Sequence, residues 1–248
     1  MADSAYLLEL LAGTFYVVAA IRLFLLSSSS GQRPERLLGL TFLLMGVSYL
    51  FYEIPFALES EALLISFSVA GRACYAASVI TVALFTRHVF HGDRAWSGWM
   101  VGCAAGLLCA GFAVSGSYGD WEGLAPLSNP GFWLEWLGQS IPFAWVGAAA
   151  FGEYAKARRR LRLGLSDSVV CNRYLLFGLF GLLQLCTLLL LIPMYIHFET
   201  TGTWARWADN LLGTLEIMTI GAIWLAFFPP ALYRHWLCGA APSLTGGD

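Results

Sequence analysis

Charge is scarce in this sequence: Asp, Glu, Lys and Arg make up 12% of its 248 residues. A soluble domain carries about 25%, so there is too little charge here to cover a water-facing surface. That scarcity excludes a disordered chain, a nucleic-acid-binding domain and a secreted disulfide scaffold. Lysine is almost missing. Lys156 is the only one, at the end of an apolar stretch, and a covalent retinal protein needs a lysine within the membrane for its Schiff base.

Cysteine and histidine are present without a motif. Cys74, Cys103, Cys109 and Cys186 fall inside apolar stretches, Cys171 and Cys238 fall beside basic segments, and no pair has C-x-x-C spacing. Thiol-metal, redox and exterior disulfide readings are set aside accordingly. His88, His91 and His235 close apolar stretches instead of lying within them, so neither buried haem ligation nor a metal site is expected. No Ser/His/Asp set or carboxylate pair beside a nucleophile appears, so no catalytic residues and no enzyme activity are expected.

What the chain does have is apolar length: 58% of its residues are hydrophobic. Seven stretches reach the roughly 20 residues a bilayer-crossing helix needs: Ala5–Ser28, Leu37–Leu58, Ala62–Thr86, Trp96–Gly116, Gly131–Tyr154, Tyr174–Ile196 and Asp209–Leu232. Their Leu- and Ala-rich runs do not alternate as barrel strands would, and hydrocarbon leaves helices as the way to satisfy the backbone. The expectation is an all-α, polytopic seven-transmembrane-helix bundle over residues 1–238, with a short flexible cytoplasmic tail at 239–248.

Basic residues orient it. The connections after spans 1, 3 and 5 and the C-terminal segment hold Arg33, Arg36, Arg87, Arg94, Lys156, Arg158, Arg159, Arg160, Arg162, Arg173 and Arg234. The N-terminus and the remaining connections hold Arg206 alone, with Asp3, Glu59, Glu61, Asp120, Glu122 and Glu199. Eleven against one places the N-terminus outside and the C-terminus in the cytoplasm. The first stretch has no basic residue ahead of it and reads as a retained helix, not a cleaved signal. The Lys156–Arg162 run anchors the bundle to anionic lipid and offers a surface to a cytoplasmic or membrane partner.

Ionisable groups within a bilayer are costly and are functional candidates. Arg72 lies ten residues into span 3, about 15 Å at 1.5 Å per residue. Glu53 and Glu216 are the carboxylates nearest in depth; Glu135 and Gln139 enter from the outer end of span 5, and Gln184 is mid-span. Two readings follow: a structural Arg–Glu pair fixing helix register, or an outward-opening ligand pocket lined by Arg72, Glu53, Glu216, Tyr49, Tyr75 and Trp145. Such a pocket leaves room for a bound lipid or non-covalent chromophore. Pro55, Pro142 and Pro193 interrupt spans 2, 5 and 6 and free carbonyls there; the matched sites in spans 2 and 6 suggest a 3-1-3 repeat of transporter type. The run Gly102-Cys103-Ala104-Ala105-Gly106 predicts close helix packing.

Span 7 ends Leu225-Ala226-Phe227-Phe228-Pro229-Pro230-Ala231-Leu232-Tyr233-Arg234-His235-Trp236. This Phe-x-Pro-Pro ending, followed by an aromatic and basic run, resembles the last helix of bacterial seven-helix membrane sensor (input) modules. The resemblance covers about twelve residues. It implies a receptor-like protein of the bacterial cytoplasmic membrane that takes part in signal transduction. Only Leu237, Cys238 and the small-residue tail Gly239–Asp248 follow Trp236, so output is expected to pass through a separate partner. The other expectations are a transporter-like bundle and a non-catalytic subunit of a larger membrane complex.

Overall fold

The computed structural model describes residues 4–57, 61–92, 94–119, 127–203 and 205–239. These form α1 (Ser4–Ser30), α2 (Arg33–Ala57), α3 (Glu61–Thr86), α4 (Ala95–Ser117), α5 (Pro130–Arg162), α6 (Ser168–Thr201), α7 (Arg206–Phe227) and α8 (Ala231–Gly239), with no strand among the described residues. The tail beyond Gly239 and the side chain of Glu53 lie outside the described residues.

Local chemistry sets the helix ends. Gly31 takes φ +69° after α1, and its N–H donates to the Ser27 carbonyl at 2.8 Å, as a left-handed C-terminal residue should. Asn129 and Asp167 cap α5 and α6 by accepting from the Gly131 and Val169 N–H groups, each at 2.8 Å. Several ends depart from the expected spans: α5 continues past Tyr154 to Arg162, and α6 extends beyond Tyr174–Ile196 at both ends, to Ser168 and Thr201. The third helix runs past Thr86 into a wider π-helical turn, Arg87–His91. The seventh stops at Phe227, because Phe228 leaves helical geometry (φ −125°, ψ 52°) and Pro229-Pro230 supply no N–H; α8 begins afresh beyond them.

Exposure is inverted relative to a soluble bundle. On α1, Leu11, Phe15, Val18, Ile21 and Leu25 share one outward face, while Ala12, Tyr16, Ala19, Ala20 and Leu23 are buried. A continuous apolar outer face needs hydrocarbon against it. Six helical segments are long and apolar enough to cross a membrane, drawn from α1, α2, α3, α4, α6 and α7, and the chain is an integral membrane protein on that ground. The seventh expected span, α5, is 33 residues long but less apolar. It packs on α3, α4 and α6 at once, so much of its surface meets protein, not lipid.

The helices close a ring: α1 on α2 and α7, α2 on α3, α3 on α5, α5 on α6, α6 on α7, with α4 against α5 and α3. Rings fill the centre. Tyr49 stacks on Tyr16, Tyr16 on Phe42, Phe42 meets Phe180 edge-on, and Phe180 meets Phe143. Close backbone approach occurs at Gly111 and Gly131 between α4 and α5, and at Gly181 between α5 and α6. It does not occur at Gly102 or Gly106, where an added Cβ would meet nothing within 4 Å. The close-packing expectation for that run is therefore corrected: both glycines lie on the outward face of α4.

Candidate functional site

Two buried polar centres occupy the ring. The first joins α3, α4 and α5. Arg72 Nη2 donates to Glu135 Oε1 at 2.5 Å, and the Ser115 hydroxyl donates to the same oxygen at 3.1 Å. The Arg72 guanidinium also lies 5.2 Å from the Phe112 ring centroid, a cation–π contact that desolvation strengthens. The local sequence makes this approach feasible. A Cβ on Gly111 would fall 2.7 Å from the Glu135 backbone nitrogen, and one on Gly131 would fall 2.6 Å from that of Ser115. Only glycine lets α4 come near enough for Ser115 to reach Glu135.

The second centre joins α1, α6 and α7. Glu216 accepts from the Tyr16 hydroxyl at 2.6 Å and from the Gln184 amide at 3.1 and 3.2 Å. Each of these residues sits near the middle of its helix, at least ten residues from either end, or about 15 Å deep at 1.5 Å per residue. Tyr49 stacks on Tyr16 with ring centroids 5.9 Å apart.

Two tyrosines lie near the centres. Tyr75 lies within electrostatic reach of both Glu216 and Tyr52, and Tyr52 within reach of Arg72, Glu135 and Tyr195. Tyr75 thus lies toward the second centre and Tyr52 toward the first. Two carboxylates and a guanidinium held this way anchor six of the seven long helices to one another.

Of the residues singled out in the sequence, Glu216, Tyr49 and Tyr75 come together around Tyr16. Arg72 bonds Glu135, which depth alone did not single out; of the two carboxylates expected near it, Glu216 is held by Tyr16 and Gln184, and the side chain of Glu53 lies outside the described residues. Trp145 stands apart: it is ten residues further along α5 than Glu135, about 15 Å along the axis. There it stacks on His91 of the π-helical turn, with centroids 5.4 Å apart and planes 12° apart, beside Trp96. The Trp145 Nε1 and both His91 nitrogens are buried with no hydrogen-bond partner among the described residues.

Sequence reasoning missed Tyr16, Tyr52, Phe112 and Ser115. Tyr16 carried a signal, since Ala12, Ala19 and Ala20 flank it at helical spacing and mark an inward face. Ser115 carried none. Among the prolines, Pro193 sits near a used carbonyl: the Trp136 indole donates to Leu188 O at 2.9 Å, one residue from the carbonyl that Pro193 deprives of its helical donor.

The chain matches no protein family, no curated protein and no solved structure. The geometry of these two centres is thus what bears on function.

Proposed function

We propose that the chain is a seven-helix sensor- or receptor-like module of the bacterial cytoplasmic membrane, with its N-terminus outside and its C-terminus inside. A small anionic, amphiphilic ligand enters from the outer half and competes with Glu135 for Arg72. The observation that carries this reading is the division of the polar interior into two clasps. One holds α3, α4 and α5; the other holds α1, α6 and α7; Tyr52 and Tyr75 lie between them. Opening the first clasp would let one half of the ring move against the other, which is the two-state element a switch requires. The motion would reach the basic end along α3 and α5, where Lys156–Arg162 meets a separate partner.

Native mass spectrometry after mild extraction, with an absorption spectrum of the same sample, tests the reading. The wild-type chain should carry a stoichiometric small molecule. Arg72→Gln should lose it, whereas Glu135→Gln, which removes the competitor, should retain it at least as well. Equal retention by both variants, or an empty wild-type chain with a stoichiometric protein subunit, would overturn the proposal.

A transporter-like reading draws on Pro142 and Pro193, which lie inside α5 and α6, where an alternating-access bundle places breaks in its helices. Flux of labelled solutes into proteoliposomes separates it from the sensor reading.

A further inference from the structure

Away from both clasps, at the end carrying the basic residues, α1, α6, α7 and α8 leave an open cavity of about 550 Å³. This falls in the roughly 300–1,000 Å³ range of small-molecule sites. Three arginines line it: Arg22 from α1, Arg173 from the start of α6 and Arg234 from α8. Phe228 and Pro229 form part of its wall, and among the described residues Asp167 is its one lining carboxylate.

That carboxylate is already used, since Asp167 Oδ1 accepts the Val169 N–H at 2.8 Å. Among the described residues none of the three arginines forms an ion pair. The lining thus has three positive groups against one negative. Like charges gathered around one space repel, and an anion placed between them removes the repulsion.

The fold holds the arginines in place. Pro229-Pro230 break the chain and start α8 in a new direction, and the Tyr233 hydroxyl donates to Asn172 Oδ1 at 3.1 Å. This ties the residue before Arg234 to the residue before Arg173. Arg22 rests with its guanidinium 5.2 Å from the Trp224 ring centroid and 5.5 Å from that of Phe228. Stacking engages the face of a guanidinium and leaves its N–H edge for oxygen acceptors.

The cavity opens beside α8, from which Arg234 lines it. Leu232 and Trp236, one turn apart on α8, are 84% and 65% exposed. Such a short helix, with an aromatic and an aliphatic side chain turned outward, lies along a membrane interface. Basic pockets between helices at that level suit phosphate groups of anionic lipids.

We propose that this cavity binds a phosphate-bearing anion, supplied by the headgroup of an anionic phospholipid. The inference is independent of the Arg72 clasp. It is tested on the full chain in detergent micelles by native mass spectrometry and thermal shift. The probes are dioleoylphosphatidylglycerol, dioleoylphosphatidylcholine, and the soluble anions inorganic phosphate and glycerol 3-phosphate.

The wild-type chain should retain phosphatidylglycerol over phosphatidylcholine. Arg173→Gln combined with Arg234→Gln should weaken that retention about tenfold or more, as expected for loss of charge-assisted hydrogen bonds. Arg33→Gln, an exposed arginine at the start of α2 and outside the cavity, should leave it unchanged. Saturable stabilisation by the soluble phosphates that the double variant loses would keep the site and assign it a soluble ligand. Equal loss with Arg33→Gln, or no loss in the double variant, would overturn the site in favour of diffuse attraction. Should the double variant fold poorly, Arg173→Lys keeps the charge, removes the bidentate fork and provides the same comparison; unchanged retention there and in Arg22→Gln would overturn the site as well.

Discussion

At the residue scale, Arg72 and Glu135 are worth more as a pair than either is alone. Both are largely buried, and Arg72 sits against the Phe112 ring, a position that water would not stabilise. Removing one partner leaves the other charge buried, a loss of about 3–5 kcal/mol. Replacing both with apolar residues of similar volume is often close to neutral. We therefore expect Arg72→Leu to lower the thermal unfolding midpoint sharply. The double variant Arg72→Leu/Glu135→Leu should recover most of that loss. A double variant as unstable as the single one would show that Arg72 stabilises the bundle through other neighbours. The same experiment separates packing from ligand binding, because recovered stability without recovered ligand retention leaves the clasp its sensing role.

At the element scale, helix contacts depend on where a Cβ has room. An added Cβ on Gly181 would lie 2.6 Å from both the Gly147 nitrogen and the Phe143 carbonyl oxygen. These are backbone atoms and cannot rotate away, so α5 and α6 would have to separate. On Gly147, across the same contact, the nearest atom would be 3.6 Å away, an ordinary van der Waals distance. Gly181→Ala should destabilise the protein by about 1–3 kcal/mol, and Gly147→Ala should stay within about 0.5 kcal/mol. Thermal melts of the two variants check this, and equal effects would mean that α5 and α6 do not meet there. The expectation that Gly102 and Gly106 would mark a packed face failed for the same geometric reason. Small residues permit approach, but which helix approaches is decided by the neighbours.

At the scale of the whole molecule, α5 is the element on which the topology turns. It is long, yet it is not among the six segments apolar enough to be recognised as membrane-crossing by composition. If it crosses, the connections at 118–129 and 163–167 lie on opposite sides of the membrane. Reporter fusions or epitope tags in those two connections should be accessible from outside and from the cytoplasm, respectively. Accessibility from one side only would remove the seventh span and reverse the placement of α6 and α7. We expect opposite sides, because α5 fills a place in the ring between α3 and α6 and shields its polar residues against α3 and α4.

The membrane class, the all-helical architecture and the approximate helix positions were legible in the residues themselves. They depend on summed apolar length, on Gly and Pro at breaks and on capping residues such as Asn129 and Asp167, all local properties of the chain. The pairing of Arg72 was not legible in that way. Depth along a helix drew attention to Glu53, whose side chain lies outside the described residues, and to Glu216; it gave no sign of Glu135, because depth does not specify rotation about the axis or which helices are neighbours. Helix packing decided both, by setting α5 beside α3 and letting Gly111 and Gly131 draw α4 onto Glu135. The same packing carried Trp145 away from Arg72 to His91, and it gathered Arg22, Arg173 and Arg234 from three separate segments around one cavity. Contacts between residues far apart in the chain follow from how the surfaces of the helices fit one another, and that fit exists only once the bundle has formed.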